Sequence, residues 1–312
     1  MKVFDAIERI DPPLSEVVLT IGNFDGVHRG HQQILAQGGL LAARIGGPVV
    51  AMTFDPHPLS VVAPERAPKT LTPRDEKLRW FEQAGVDVAV IAQSTPDLLS
   101  LTAEAFVEQV VVGRFQPRWM VEGSSFGFGR GRKGDVGLLR QLGTRHGFDV
   151  HVVEPVRLTV ENDEQVLVSS SMIRDLVRRG LVRRAALCLG HPYALISQVV
   201  HGAQRGRGLG FPTANLRLVD DQLVPAAAVY AGRACVTEKT YAAAVSIGTN
   251  ATFGGTTMSV EAHLLDYDGD LYDQTIRVEF LDRVRDQRKF ESADALREQL
   301  VNDIDTVRSI NG

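Results

Sequence analysis

Several things are scarce in this chain, and each scarcity excludes something. There are two cysteines, Cys188 and Cys235, with no second thiol at metal-ligating spacing. That rules out a disulfide scaffold or a cysteine-based zinc site, and both read as buried free thiols. No apolar run approaches the length of a membrane span. The start of the chain carries Asp5, Glu8, Arg9 and Asp11, which leaves no room for the apolar core of a signal peptide. Cytoplasmic residence is the expectation. An excess of charge of one sign is also missing: Lys and Arg number 34 against 38 Asp and Glu, a net −4. Nothing there pulls toward nucleic acid or an anionic membrane, and neither is expected as a partner. What remains is ordinary globular composition, 44% hydrophobic and 23% charged, over 312 residues. That length suits two domains, each with its own core.

The most informative stretch is Gly22-Asn23-Phe24-Asp25-Gly26-Val27-His28-Arg29-Gly30-His31. An apolar run, residues 16–21, precedes it and reads as a buried strand; the Pro-free, Leu- and Ala-rich residues 32–45 read as a helix. Glycines let a backbone turn tightly and approach a ligand, and a helix start offers N–H groups and a positive dipole end to phosphate. The stretch is not Gly-x-Gly-x-x-Gly and lacks the Gly-Lys-Ser/Thr ending of a P-loop. Its histidine pair has no third ligand nearby for zinc. On spacing alone, a phosphate-binding junction and a merely structural glycine-rich turn stand equal.

Further strand patterns follow at residues 48–54, 86–91 and 118–121. Helical patterns lie between them, one opening at Thr72-Pro73 with Thr72 as N-cap, another at Thr102. The alternation predicts a doubly wound parallel sheet with helices on both faces. Ligands of such sheets sit beyond the carboxyl ends of the strands, where 22–31 and the rigid Asp55-Pro56-His57-Pro58 both fall. Residues 122–135 hold five glycines and three cations, which suits a loop folding over anionic groups or a solvated flexible loop. Ser169-Ser170-Ser171 opens a helix ending near Gly180, and Arg174 follows one turn in. That arrangement serves either capping or phosphate binding. Arg178, Arg179, Arg183 and Arg184 read as a solvated basic face.

Near residue 186 the period changes, which places a boundary between domains 1–186 and 187–312. Five short strand patterns, at 197–201, 231–236, 243–247, 259–265 and 275–280, run without a helix until Ser292. They predict a small antiparallel β-barrel with a C-terminal helix. Gly202 to Gly210 is glycine-rich and leads into Phe211-Pro212-Thr213-Ala214-Asn215. Backbone suited to phosphate there precedes two oxygen ligands, Thr213 and Asn215, for a hard cation such as magnesium. A glycine-rich turn before a strand is the alternative.

These motifs also resemble a known family. Gly-x-Phe-Asp-x-x-His-x-Gly-His looks like the nucleotidyltransferase signature, and the fuller residues 20–31 resemble the bacterial bifunctional riboflavin kinase/FMN adenylyltransferases. Residues 202–215 are similar to the riboflavin kinase signature of that family, as are 223–230, 246–253, 260–263 and 285–290. The resemblance spans essentially the whole chain. It implies an N-terminal adenylyltransferase domain joining FMN and ATP into FAD with release of pyrophosphate. It implies a C-terminal kinase domain phosphorylating riboflavin, with ATP and Mg²⁺ in use. In this reading His28 and His31 are catalytic, while Gly22, Phe24, Gly26, Gly30, Ser170, Ser171 and Arg174 bind ATP phosphates. Ser125, Phe126 and Phe128 contact flavin. In the kinase, Gly202 and Gly208 bind phosphate, Thr213 and Asn215 hold the metal, and Glu261 is the base. Flavoprotein apo-enzymes would receive the FAD. Departures from the family pattern are Ser125 and Gly127 in the flavin loop, Ser171, Ala228 and Ala251. Those in the flavin loop leave a kinase with weakened adenylyl transfer as one alternative. A non-catalytic flavin-binding regulator is another.

Overall fold

The computed structural model describes residues 1–159, 165–202, 210–219, 221–252 and 255–312. They form two compact units, residues 1–68 with 72–169, and residues 69–71 with 170–312.

The first unit is built on strands β1 (Lys2–Phe4), β2 (Val17–Ile21), β3 (Val49–Asp55), β4 (Val88–Gln93), β5 (Pro117–Gly123) and β6 (Asp149–Val153). They form one sheet in the order β1-β4-β3-β2-β5-β6, with every neighbouring pair parallel. The chain moves from β2 outward through β3 and β4, then returns to β2's other side at β5, so the order reverses between β2 and β5. That reversal opens a crevice outside the strands' carboxyl ends.

Helices α1 (Arg29–Ile45), α2 (Pro58–Val62), α3 (Arg74–Gln83), α4 (Pro96–Ser100), α5 (Ala103–Phe106) and α6 (Val136–His146) connect the strands, with a π-type stretch, Val107–Phe115, continuing α5. Successive strand residues point to opposite faces, which separates two apolar layers. Leu19, Ile21, Val50, Met52 and Met120 meet Phe106, Phe115 and Leu139 on one face. Val18, Ala51, Ala89 and Val121 meet Leu35 and Leu41 of α1 and Phe81 of α3 on the other. One expectation is corrected: Thr72 does not cap α3. Pro73 stands at the N-cap and no side chain caps the helix; the Thr72 N–H donates to Asp25 Oδ1 at 3.0 Å. The hairpin β7 (Arg157–Thr159) with β8 (Gln165–Leu167) was not anticipated.

In the second unit, α7 (Ser170–Arg178) and α8 (Val182–Leu189) precede strands β9 (Tyr193–Val200), β10 (Ala214–Leu216), β11 (Ala228–Val236), β12 (Lys239–Thr252), β13 (Gly255–Leu264) and β14 (Thr275–Asp286). These close into an antiparallel barrel, β10-β13-β12-β11-β14-β9. Residues 170–186, which the sequence groups with the first domain, lie in this unit, where α8 packs against β9 and β14. Alternation decides what the barrel shows outside: Val260, Ala262 and Leu264 of β13 are buried, while Glu261 and His263 between them are half-buried.

The C-terminal helix α9 (Ala293–Asn311), capped by Ser292, is fastened by an ion pair. Arg285 of β14 forks onto both oxygens of Asp303 at 2.7–3.0 Å, and Asp303 is 2% exposed. Asp303→Ala strands a largely buried guanidinium, so the second unit should lose roughly 3–5 kcal/mol of unfolding free energy in a denaturant titration.

Candidate functional site

The first unit's crevice is lined by the loop that leaves β2. Its backbone takes left-handed geometry at Phe24 (φ 47°), Gly26 (φ 88°) and Val27 (φ 37°). Glycine adopts this freely, but a β-branched valine does not. Such residues cost about 1–3 kcal/mol each and persist only where the surroundings over-determine them. The surroundings do so here. Lys77 Nζ donates to Asn23 O at 2.8 Å and to Thr53 Oγ1 at 3.2 Å. Thr53 Oγ1 donates to the same Asn23 carbonyl at 3.0 Å. Asp25 is tied to Thr72 N–H, and Gln32 Nε2 donates to Val27 O at 2.8 Å.

So held, the loop delivers His28 to the N-cap of α1, where Nδ1 accepts from His31 N–H at 3.3 Å. In the neutral ring this assigns the proton to Nε2, a donor. The His28 and His31 rings stack with centroids 3.6 Å apart and planes 16° off parallel. A Cβ on Gly30 would come within 3.2 Å of the His28 ring, so glycine leaves the stack its room. Burial, and then the neighbouring His28 and Lys77, hold the His31 pKa well below its usual value. A neutral His31 ring can stack on His28 without charge repulsion. Phe24, expected at the phosphates, has its side chain 2% exposed and edge-on to both His31 and Phe81 at 5.1 Å. Gly22 and Gly26 lie in the loop, and the Asn23 side-chain amide meets His57 Nε2 at 3.0 Å.

The second wall of the crevice is the loop after β5. Ser125 is exposed and Phe126 half-buried, with Phe126 stacked 5.5 Å from Phe128. Phe128 is 6% exposed and packs in the core beside Phe106, so it supports the loop from below. Arg132 Nη2 donates to Ser125 O at 3.1 Å, and a Cβ on Gly127 would fall 2.9 Å from Arg132 Nε. The glycine at 127 therefore makes room for an arginine that braces the loop.

Ser170, Ser171 and Arg174 belong to the second unit, in the first turns of α7. Arg174 is buried, and its Nε donates to Lys69 O at 2.8 Å.

On the barrel, Asn215 of β10 sits directly opposite Glu261 of β13, facing outward beside it. Thr213 Oγ1 donates to Glu261 Oε2 at 3.1 Å. That bond uses the hydroxyl proton and leaves the oxygen's lone pairs available. A Cβ on Gly202 would lie 2.3–2.4 Å from the Asn215 amide, so the glycine is the surface on which that amide rests. His263 Nδ1 donates to Pro212 O at 2.7 Å and anchors the segment leading to Thr213. Gly208 lies outside the described residues.

Sequence reasoning missed Lys77, Thr53 and Glu122. Lys77 shares a helix face with the core residue Phe81, four positions on; a lysine on an apolar face was the available signal. Glu122, 2% exposed, accepts the Ile21 N–H at 2.8 Å, and burial raises its pKa well above the carboxylate range.

A strand-end loop feeding a helix N-terminus in one unit, and a carboxylate flanked by two oxygen donors on the other's barrel, suit an enzyme that handles phosphate in both units. The family described as FAD synthetase matches residues 11–172, and the one described as riboflavin kinase matches residues 189–311. The chain belongs to the bifunctional riboflavin kinase/FMN adenylyltransferase family. The relative of that name from Escherichia coli (strain K12) is 36% identical over 314 residues, covering 100% of this chain and 98% of its own. The Bacillus subtilis (strain 168) relative is 34% identical, covering 92% and 90%. A solved Streptococcus pneumoniae structure, described as a macrolide-efflux protein, is similar with a TM-score of 0.87 and 32% identity over 98% of both chains. Among the described residues, no helix is long and apolar enough to cross a membrane.

Glu122 carries a testable pH dependence. Its folded pKa is raised, so burying the ionised carboxylate costs stability at high pH, and that cost vanishes below about 4.5, where the unfolded chain is protonated too. Glu122→Gln should therefore melt above the parent at pH 8, with the gap closing as the pH falls toward 5.

Proposed function

We propose that the second unit transfers the γ-phosphoryl group of ATP to the ribityl 5′-hydroxyl of riboflavin, giving FMN. The first unit transfers AMP from a second ATP to FMN, giving FAD and pyrophosphate. The activities are assigned to residues 187–312 and 1–186, so that residues 170–186, compact with the barrel, are read with adenylyl transfer. The observation that carries the kinase reading is the Thr213–Glu261 hydrogen bond with Asn215 opposite.

Phosphorylating an alcohol requires a base at the hydroxyl and charge stabilisation along the triphosphate. Glu261 is that base: its carboxylate takes the 5′-hydroxyl proton as the oxygen attacks the γ-phosphorus and the bond from that phosphorus to ADP breaks, ADP leaving. Magnesium fits the donors beside it. Thr213 and Asn215 present hard oxygens, and among the described residues no group of three or more His, Cys, Asp or Glu offers a rival cage. Two protein oxygens leave the remaining positions to water and substrate phosphate, as magnesium prefers. When bound there, the ion neutralises triphosphate charge. Thr213 keeps donating its proton to Glu261, which fixes the orientation of both side chains.

Adenylyl transfer needs no covalent enzyme intermediate, because the FMN phosphate is itself the nucleophile. The work is positioning and charge stabilisation at the α-phosphate and the leaving pyrophosphate. His28 Nε2–H and the start of α1 supply donors on the first unit's crevice, with Gly22, Gly26 and Gly30 allowing close backbone approach. Ser170, Ser171 and Arg174 are assigned to ATP phosphates from the match to the family pattern. Ser125 and Phe126 face the flavin, with Phe128 beneath them. Cys188 and Cys235 are not joined in a disulfide, which suits a reducing cytoplasm, where apo-flavoproteins take up the FAD.

Incubation with riboflavin, ATP and Mg²⁺, resolving FMN from FAD over time, tests this. Glu261→Gln should slow FMN formation by about 10²–10⁴-fold and spare FAD made from supplied FMN. His28→Ala should slow FAD formation on the order of a hundred-fold and spare FMN formation. Joint loss of both activities in either variant contradicts the two-centre assignment. Gly202→Ala, which pushes the Asn215 amide aside, should cut FMN formation by up to about a hundred-fold, with little change in melting temperature.

A further inference from the structure

The first unit contains a buried lysine that the transfer chemistry above leaves without a task. Lys77 is 9% exposed, and its Nζ lies within hydrogen-bond reach of Asn23 O and Thr53 Oγ1. Nothing about satisfying the Asn23 carbonyl requires this, since Thr53 Oγ1 already donates to it at 3.0 Å. Burial pulls the Lys77 pKa below its usual value, against the opposing pull of Asp25 and Asp55, so placing the amine here costs free energy. An unbranched apolar side chain would fill the same space without that cost.

The contact lies at the one point where it can act on the site. Asn23 is the residue before the left-handed run at Phe24, Gly26 and Val27, and that run sets where His28 enters α1. Resting on the adenylyltransferase reading of this unit, we propose that Lys77 is a positioning residue for adenylyl transfer. Its hydrogen bonds to the Asn23 carbonyl and to Thr53 Oγ1, which itself donates to that carbonyl, hold the strained loop so that His28 caps α1 and stacks on His31. The role is distinct from scaffolding. A structural lysine would destabilise the unit when removed, whereas a positioning lysine leaves a fold that is as stable or more so but loses rate.

The test uses the full chain with Lys77→Met, which keeps the length of the stem. FAD formation from supplied FMN and ATP should show kcat down by about tenfold or more, with KM for FMN changed by less than about twofold. FMN formation from riboflavin, the internal control, should be unchanged, and the melting temperature should hold or rise. Amide exchange should quicken within residues 22–32 and nowhere else in the sheet. An unchanged kcat for FAD overturns the proposal, as does a rate loss accompanied by faster exchange throughout the unit. Should Lys77→Met not fold, Thr53→Val decides. It removes the hydroxyl that accepts from Lys77 and donates to Asn23 O, and the same signatures, smaller, are expected. If the parent chain makes no FAD, the functional reading falls, and exchange in residues 22–32 alone decides whether Lys77 is the clamp.

Discussion

The loop from Gly22 to Val27 stands in backbone geometry that its own side chains resist, and the first unit is arranged to hold it there. Phe24 and Val27 have positive φ without being glycine. Three side chains from outside the loop, Thr53, Lys77 and Gln32, donate to its carbonyls, and the Thr72 backbone N–H donates to Asp25 within it. Strain held this way is a means of fixing a geometry rather than a defect. The result is a helix start whose cap is an imidazole, stacked on a second imidazole that burial keeps neutral. The sheet supplies the place for it, because the strand order reverses beside β2 and leaves the crevice open at that end.

The barrel solves a different problem with simpler means. A strand's period of two sends Val260, Ala262 and Leu264 inward and leaves Glu261 facing out, where β10 sets Asn215 directly across from it. Register alone sets Asn215 across from Glu261, and Gly202 clears the space in which the Asn215 amide lies. A one-residue slip of β13 would carry Glu261 into the core, so the hydrophobic pattern that folds the barrel also fixes the site.

Most of this was legible in the sequence, for physical reasons. Buried parallel strands such as Val17–Ile21 and Val49–Asp55 are continuous apolar runs, and the change from alternating helices to successive strands marked the second architecture. What was not legible depends on tertiary contact. The three residues of β10 are too few to show a period, and they form a strand only because β9 and β13 flank them. Thr72 has the chemistry of an N-cap, yet α3 starts at Arg74 with Pro73 at the N-cap, one residue later than that reading needs. Phe128 looks like a flavin contact in the linear motif, whereas in the fold it belongs to the core under the loop. Lys77 carried no motif, and only the folded loop gives it a partner.

The account stands on two separable centres within one chain, the FMN made at one being the substrate of the other. Its most direct test mixes two inactivated chains, Glu261→Gln and His28→Ala, with riboflavin, ATP and Mg²⁺. Neither alone should make appreciable FAD from riboflavin, and the mixture should, with FMN appearing first. FAD from either variant alone at the parent rate, or none from the mixture, would contradict it.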